Sequence, residues 1–443
     1  MSAVLELARE RTDMTGPLES KGTRKRIVIV GAGFAGLAAA KALSKCAAEV
    51  ILIDRRNHHI FQPLLYQVAT AVLASSEIAA PIRQLTEKQK NLSVMWGEVK
   101  AVDLKGRAIE VDCHGARPVK VSFDYLIVAT GVQPSYFGHD EFARYAPTLK
   151  TLSDAELIRT KLLTAYEMAE MTDDADERIR QMTFVLVGAG PTGVELAASM
   201  AQLATVTLRS NFRKIDPAMT SILLIEGGKR VLASYAESLS HKAAKRLDRL
   251  GVKVMTNAIV EKVDDRGVTV AGQLIKSATV FWTAGVAPSP IVKMLGGKTD
   301  RAGRASVGSF MNLVDSEGVF VIGDSASVIQ DTRPVPGVAQ AAIQEGRYVG
   351  RFIAAELKGR APPPPFRYSD KGNMAVIGKN FAILETGRIR MSGFLPWLAW
   401  AFVHMVALPQ RQNRIRVRVQ WLWSYFTGQR SSRLMSESPR QRS

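Results

Sequence analysis

Two short passages of this chain repeat one another. Arg26-Ile-Val-Ile-Val-Gly-Ala-Gly-Phe-Ala-Gly36 and Thr183-Phe-Val-Leu-Val-Gly-Ala-Gly-Pro-Thr-Gly193 each carry a β-branched run that opens into G-x-G-x-x-G, and internal repetition is the first property to read in a sequence. In each copy the run bounded by glycine predicts a buried parallel strand, and the alanine-rich stretch after it predicts a helix. Gly31 and Gly188 permit the tight turn, Gly33 and Gly190 let the backbone approach a pyrophosphate, and Gly36 and Gly193 allow close helix–strand packing. The amides of the helix then face the phosphate. Beyond the first copy, Val50-Ile-Leu-Ile-Asp54 predicts a second strand ending in an acid placed to bind a ribose hydroxyl. Beyond the second copy the acid is Glu226, closing Ser221–Glu226, and the extra length from Gln202 to Thr220 predicts an extended helix and a loop. A carboxylate there repels a 2′-phosphate and favours NADH, with Lys229 and Arg230 as opposing charges nearby.

A chain of 443 residues has room for two or three domains, and 47% apolar with 23% charged residues excludes a mostly disordered chain. Two cysteines, Cys46 in the first helix and Cys113 in an expected edge hairpin, exclude a disulfide scaffold, a Cys-rich zinc site and an iron–sulfur cluster. His58 and His59 beside Arg55 and Arg56 have no third ligand at suitable spacing, so they read as loop residues and no metal is expected. The net charge of +18 is uneven: from Arg388 to Ser443 there are ten Arg, no Lys and one acid, Glu437. The N-terminal residues 1–22 read as a flexible leader without a secretory signal. The apolar stretch Phe394–Leu408 falls short of the roughly 20 residues that cross a bilayer, while Trp397 and Trp400 suit a headgroup boundary. From Gln412 a helical period puts Ile415, Val419, Leu422 and Phe426 on one face and Asn413, Arg416, Gln420 and Ser424 on another. Arg414–Val419 also alternates with period two, so a strand fits it as well; a basic, tryptophan-bearing amphipathic segment favours an in-plane membrane helix. A core-packing hairpin and a nucleic-acid-binding arm compete, though no nucleic-acid module surrounds the tail and none is expected as partner.

Two nucleotide sites in one chain imply an electron relay. The arrangement resembles the two-dinucleotide-binding-domain flavoprotein reductases. Tyr125-Leu-Ile-Val-Ala-Thr-Gly131 and Gly318-Val-Phe-Val-Ile-Gly-Asp324 look like that superfamily's strands flanking FAD, and Phe281-Trp-Thr-Ala-Gly285 like the exit strand of its NAD domain. The resemblance implies an α/β fold of two Rossmann-like, glutathione-reductase-like domains, the NADH domain (151–290) inserted in the FAD domain (23–150 and 291–387). A C-terminal amphipathic membrane-anchoring segment (388–443) follows. It assigns Gly31, Gly33, Gly36, Asp54, Thr130, Gly131 and Asp324 to FAD, and Gly188, Gly190, Gly193, Glu226 and Gly285 to NADH. The absence of a cysteine pair argues against disulfide and sulfide:quinone reductases.

Phe61-Gln-Pro-Leu-Leu-Tyr-Gln-Val-Ala69, Gly188-Ala-Gly-Pro-Thr-Gly-Val-Glu-Leu196 and Ala339-Gln-Ala-Ala-Ile-Gln344 together resemble the type II NADH dehydrogenases, single-chain NADH:quinone oxidoreductases of one membrane face. That resemblance implies FAD and NADH as cofactors and a membrane quinone as acceptor. It implies a peripheral protein on the cytoplasmic side of the cell inner membrane. Gln340 and Gln344, at i and i+4 on one helix face, would line the quinone pocket, Lys379 would stand near it, and Glu195 would position the nicotinamide. A soluble NADH-dependent reductase of an electron-carrier protein and a flavoprotein redox sensor stay open as rivals, as does a homodimer.

Overall fold

The computed structural model describes residues 24–435; the expected leader lies outside them. In chain order the elements used below begin with β1 (Arg26–Val30), α1 (Phe34–Ala42), β2 (Glu49–Asp54), α2 (Leu65–Ala69), β3 (Leu92–Trp96) and β4 (Tyr125–Val128). They continue with β5 (Thr183–Val187), α3 (Pro191–Gln202), β6 (Ser221–Ile225), β7 (Val252–Met255), β8 (Thr279–Trp282) and β9 (Val319–Val321). The last are α4 (Ala339–Glu356), β10 (Asn373–Val376), β11 (Ala382–Thr386), β12 (Ile389–Gly393), α5 (Phe394–Ala407) and α6 (Arg411–Thr427). Two compact units share them. The first takes the described chain up to His59, then Pro81–Gln133 and Ala287–Asp370; the second takes Ile60–Ala80, Pro134–Val286 and everything from Lys371 on. Ile60–Ala80 and the C-terminal segment are therefore grouped with the second dinucleotide fold.

The first unit is built on a parallel sheet in the order β9-β4-β1-β2-β3. All five residues of β1 are buried, as a strand covered on both faces requires. The order reverses at β1, and the carboxyl end of such a switch point is where doubly wound sheets bind ligands. Helices α1 and α4 pack with almost no side chain between them. A Cβ on Gly346 would lie 2.1 Å from the Ala35 carbonyl oxygen, and one on Gly350 would lie 2.5 Å from the Ala42 Cβ. Helix α1 ends at Ala42, so Cys46, expected inside it, lies in the turn beyond, its N–H on the Leu43 carbonyl.

The second unit repeats the plan, with parallel order β7-β6-β5-β8. Where an extended helix and a loop were expected, α3 runs on through one π-helical turn, Leu203–Thr207, before the loop. An antiparallel sheet, β10-β11-β12, leads into α5 and α6. Among the described residues no helix is long and apolar enough to cross a membrane.

Candidate active site

The two glycine loops have the same geometry. Gly31 and Gly188 both sit at φ 103°, where a Cβ would press into Ala129 and Ala284 respectively, and a Cβ on Gly36 or Gly193 would collide with the carbonyl of the first glycine. At Gly33 and Gly190 nothing lies within 4 Å of the missing Cβ, and each of these glycines starts a helix without a side-chain cap. Open space in front of uncapped amides is a cradle for an anion. The acids repeat as well. Asp54 accepts the Ala32 N–H at 2.7 Å and the Arg56 N–H at 2.8 Å; Glu226 accepts the Ala189 N–H at 2.7 Å and the Gly228 N–H at 2.8 Å. Each carboxylate thus pins its own loop and keeps further acceptor capacity for a ribose hydroxyl.

Around the first cradle the same unit gathers Thr130, Gly131 and Asp324. Ser325 donates to the Gly131 carbonyl at 2.8 Å and stands 3.3 Å from the Thr130 hydroxyl. Helix α4 also begins without a side-chain cap. The residues fit a dinucleotide such as FAD: an open phosphate loop, an acid beside it and two uncapped helix N-termini. Two buried groups brace this region: His59, expected in a loop but lying in the short strand His58–Ile60, and Glu345, which sequence reasoning missed. His59 lies 3.0 Å through Nδ1 from the Ala32 carbonyl, and Glu345 accepts the Gly323 N–H at 2.5 Å. Burial is the main reason the Glu345 carboxyl is pushed up to about 7. Neither residue belongs to a motif, and only their place beside the loops reveals them.

In the second unit Glu195 and Tyr66 line one cavity with Thr192, Trp282, Gly285 and Lys150. Glu195 accepts the Val376 N–H at 3.3 Å, but removal from water dominates and pushes its pKa up to about 8, so the carboxyl holds a proton at neutral pH. The Tyr66 phenol, buried and facing Glu195, lies well above its ordinary value. Gly285 is left-handed at φ 72°, and a Cβ there would strike the Phe137 ring.

The remaining expected residues are placed as follows. Gln340 and Gln344 do share a face of α4, and both reach the irregular segment Ser369–Asp370. Gln344 accepts the Ser369 N–H and donates to its carbonyl, both at 2.9 Å, and Gln340 donates to Asp370 at 3.5 Å. Lys379 is drawn toward α6, with Nζ 2.6 Å from the Tyr425 carbonyl and 4.0 Å from the centre of its ring. Among the described residues no group of His, Cys, Asp and Glu could hold a metal ion.

The C-terminal helices show the reverse of a soluble hairpin. Their inner seam is aromatic: Trp400 stacks on Trp421 at 5.5 Å and Trp397 meets Tyr425 at 5.7 Å. Trp400, expected at a headgroup boundary, is only 3% exposed. The faces turned to solvent are apolar, with Phe402 63%, Ile415 61% and Phe426 78% exposed, joined by Leu395, Leu398, Val419, Leu422 and Trp423. Helix α6 docks instead through Asn413 and Val417, Asn413 donating to the Ala79 carbonyl.

Residues 25–346 match the family model described as pyridine nucleotide-disulphide oxidoreductase. A protein of Mycobacterium tuberculosis called type II NADH:quinone oxidoreductase NdhA is 42% identical over 425 residues, 93% of this chain and 89% of that one. The chain belongs to the type II NADH:quinone oxidoreductases. Cys46 and Cys113, the chain's two cysteines, are both free in the structure. Demethylphylloquinone reductase NdbB of Synechocystis is 28% identical over 90% of this chain and 96% of its own. The solved structure of NDH2 from Plasmodium falciparum with NADH superposes at a TM-score of 0.84 with 20% identity. It covers 92% of this chain and 99% of that one, a likeness of fold.

Proposed function

We propose that this chain oxidises NADH and reduces a membrane quinone with FAD as its resident cofactor. In this reading it sits as a peripheral protein on the cytoplasmic face of the cell inner membrane. The observation that carries the reading is the duplicated, acid-pinned cradle: a chain that builds the same nucleotide loop twice handles two nucleotides, and the family supplies the order of transfer. FAD would be held by Gly31, Gly33, Gly36, Asp54, Thr130, Gly131 and Asp324; NADH by Gly188, Gly190, Gly193, Glu226 and Gly285. When bound, FAD supplies the two-electron chemistry that links hydride removal from NADH to quinone reduction.

The chain's own residues do the rest. Glu195, neutral and within a cavity, orients the nicotinamide by hydrogen bonding. The uncapped start of α4 presents a positive dipole end to developing negative charge. Gln340 and Gln344 are assigned to the quinone side with Lys379, and the quinone's two protons come from solvent. Apolar side chains on the outer faces of α5 and α6, with Arg411, Arg416 and Arg418 exposed beside them, suit insertion among anionic headgroups.

Anaerobic stopped-flow mixing tests the reading: purified yellow protein should bleach with NADH and recover its colour with a soluble quinone. A preparation that binds FAD and oxidises NADH but reduces no quinone analogue would overturn it in favour of a carrier-protein reductase. Co-flotation with vesicles of phosphatidylglycerol tests the membrane seat.

A further inference from the structure

Arg430 is a buried cation with an unusual set of partners. It lies two residues past Gly428, which ends α6 in the left-handed conformation, and it is 6% exposed. Among the described residues its guanidinium bonds no carboxylate. Nη1 donates to the Thr70 carbonyl at 2.7 Å and reaches the Ser199 hydroxyl at 3.4 Å; Nη2 donates to the Ser199 carbonyl at 2.9 Å. The Thr70 and Ser199 hydroxyls are themselves bonded at 2.7 Å. Taking a guanidinium out of water without an opposing charge is costly, and a helix end could be capped on the surface by a cheaper residue.

The positions bonded give the reason. Thr70 lies one helical turn beyond Tyr66 and bonds back to its carbonyl through both N–H and hydroxyl. Ser199 lies one turn beyond Glu195 on α3. Residues at i and i+4 share a helix face, so Arg430 grips α2 and α3 directly behind the two side chains that line the cavity. A second tie from the same C-terminal segment reaches the same place: Trp421 donates to Gln67 at 2.7 Å, and Gln67 donates to the Tyr66 phenol at 2.9 Å.

We propose that Arg430 is a positioning residue for the Glu195–Tyr66 pair, its planar fork fixing the spacing of α2 and α3 and so keeping water away from the Glu195 carboxyl. The inference rests on the reading of Glu195 at the nicotinamide given above. Lysine could supply the charge but not the two-sided fork. The other titratable groups around Glu195 are Tyr66 on α2, Tyr235 in the loop beyond β6, Glu385 on β11 beside Tyr235, and Lys150 in the cavity wall. Each stays unaltered in the test.

The test uses full-length holoenzyme with Arg430→Gln, Arg430→Lys and Glu195→Gln. Infrared titration follows the protonated carboxyl band that disappears in Glu195→Gln, and stopped flow follows colour loss with NADH. Arg430→Gln should retain FAD, lower the carboxyl midpoint by at least about one pH unit as water enters, and slow the NADH half-reaction about tenfold. Arg430→Lys should recover part of both. An unchanged midpoint and rate in folded Arg430→Gln would overturn the proposal. If Arg430→Gln does not fold, Ser199→Ala removes only the hydroxyl side of the clamp, and a smaller shift in the same direction is required. Should Glu195→Gln leave the NADH rate untouched while Arg430→Gln still moves the midpoint, the nicotinamide role fails and the positioning role stands.

Discussion

Glu195 holds its proton where an ordinary glutamate is ionised, and that has a consequence for stability. Its folded value, about 8, lies above the unfolded 4.5. The folded state therefore binds the extra proton, and stability is full below pH 4.5 and is lost as pH rises toward 8. Glu195→Gln cannot titrate, so it should gain on the parent by a few kcal/mol, on the order of the shift itself, between pH 5 and pH 9. Denaturant unfolding at the two pH values checks this; parallel curves would contradict it. At Gly346 the added Cβ meets backbone rather than a movable side chain, so Gly346→Ala should cost about 1–3 kcal/mol, read as a lower thermal midpoint. Residues of this kind divide sharply in how readable they are. Gly31 and Gly188 are visible in a bare sequence because a left-handed turn next to a strand admits little else. His59, Glu345 and Arg430 are invisible because their partners are backbone atoms far away in the chain, and no local pattern encodes them.

Among elements, α6 shows most clearly what a pattern states and what it omits. The period of Ile415, Val419, Leu422 and Phe426 told which residues share a face. It did not tell that this face turns outward, since the choice depends on Asn413, Val417 and Trp421 finding partners in the second unit. The burial of Trp400 is hidden for the same reason: its cover comes from the neighbouring helix. Replacing Ile415 and Phe426 together by Asp removes apolar area already exposed to water, so folding should be unaffected while vesicle binding falls at least about tenfold in flotation. Loss of both together would make the stripe a core face after all. On α4, Gln344→Trp should slow the quinone half-reaction more than the NADH half-reaction, with a modest loss of thermal stability because two bonds to Ser369 go with it. Equal slowing of both halves would remove Gln344 from the quinone side.

For the molecule as a whole, the doubled loop makes the two nucleotide sites separable by mutation. Asp54→Ala should give protein that purifies with less FAD and melts lower, since a ligand bound only to the folded state stabilises it in proportion to its occupancy. Glu226→Ala should stay yellow and raise the KM for NADH about tenfold. A colour loss in the second variant, or none in the first, would reverse the assignment. The repeat itself was legible from the start. The division into units was not, because Ile60–Ala80 and the segment from Lys371 on are grouped by tertiary packing with a fold that lies elsewhere in the chain.

If Glu226 binds the NADH ribose as proposed, its double duty limits how the coenzyme choice of this enzyme can be redesigned. A protein engineer wishing to accept a phosphorylated ribose would first exchange this acid for a neutral or basic residue. Here the exchange also cuts the strap across Ala189 and Gly228, loosening the turn that must receive the diphosphate. Selectivity and grip are therefore tied to one side chain, and a successful redesign has to install a new acceptor for those two amides in the same step.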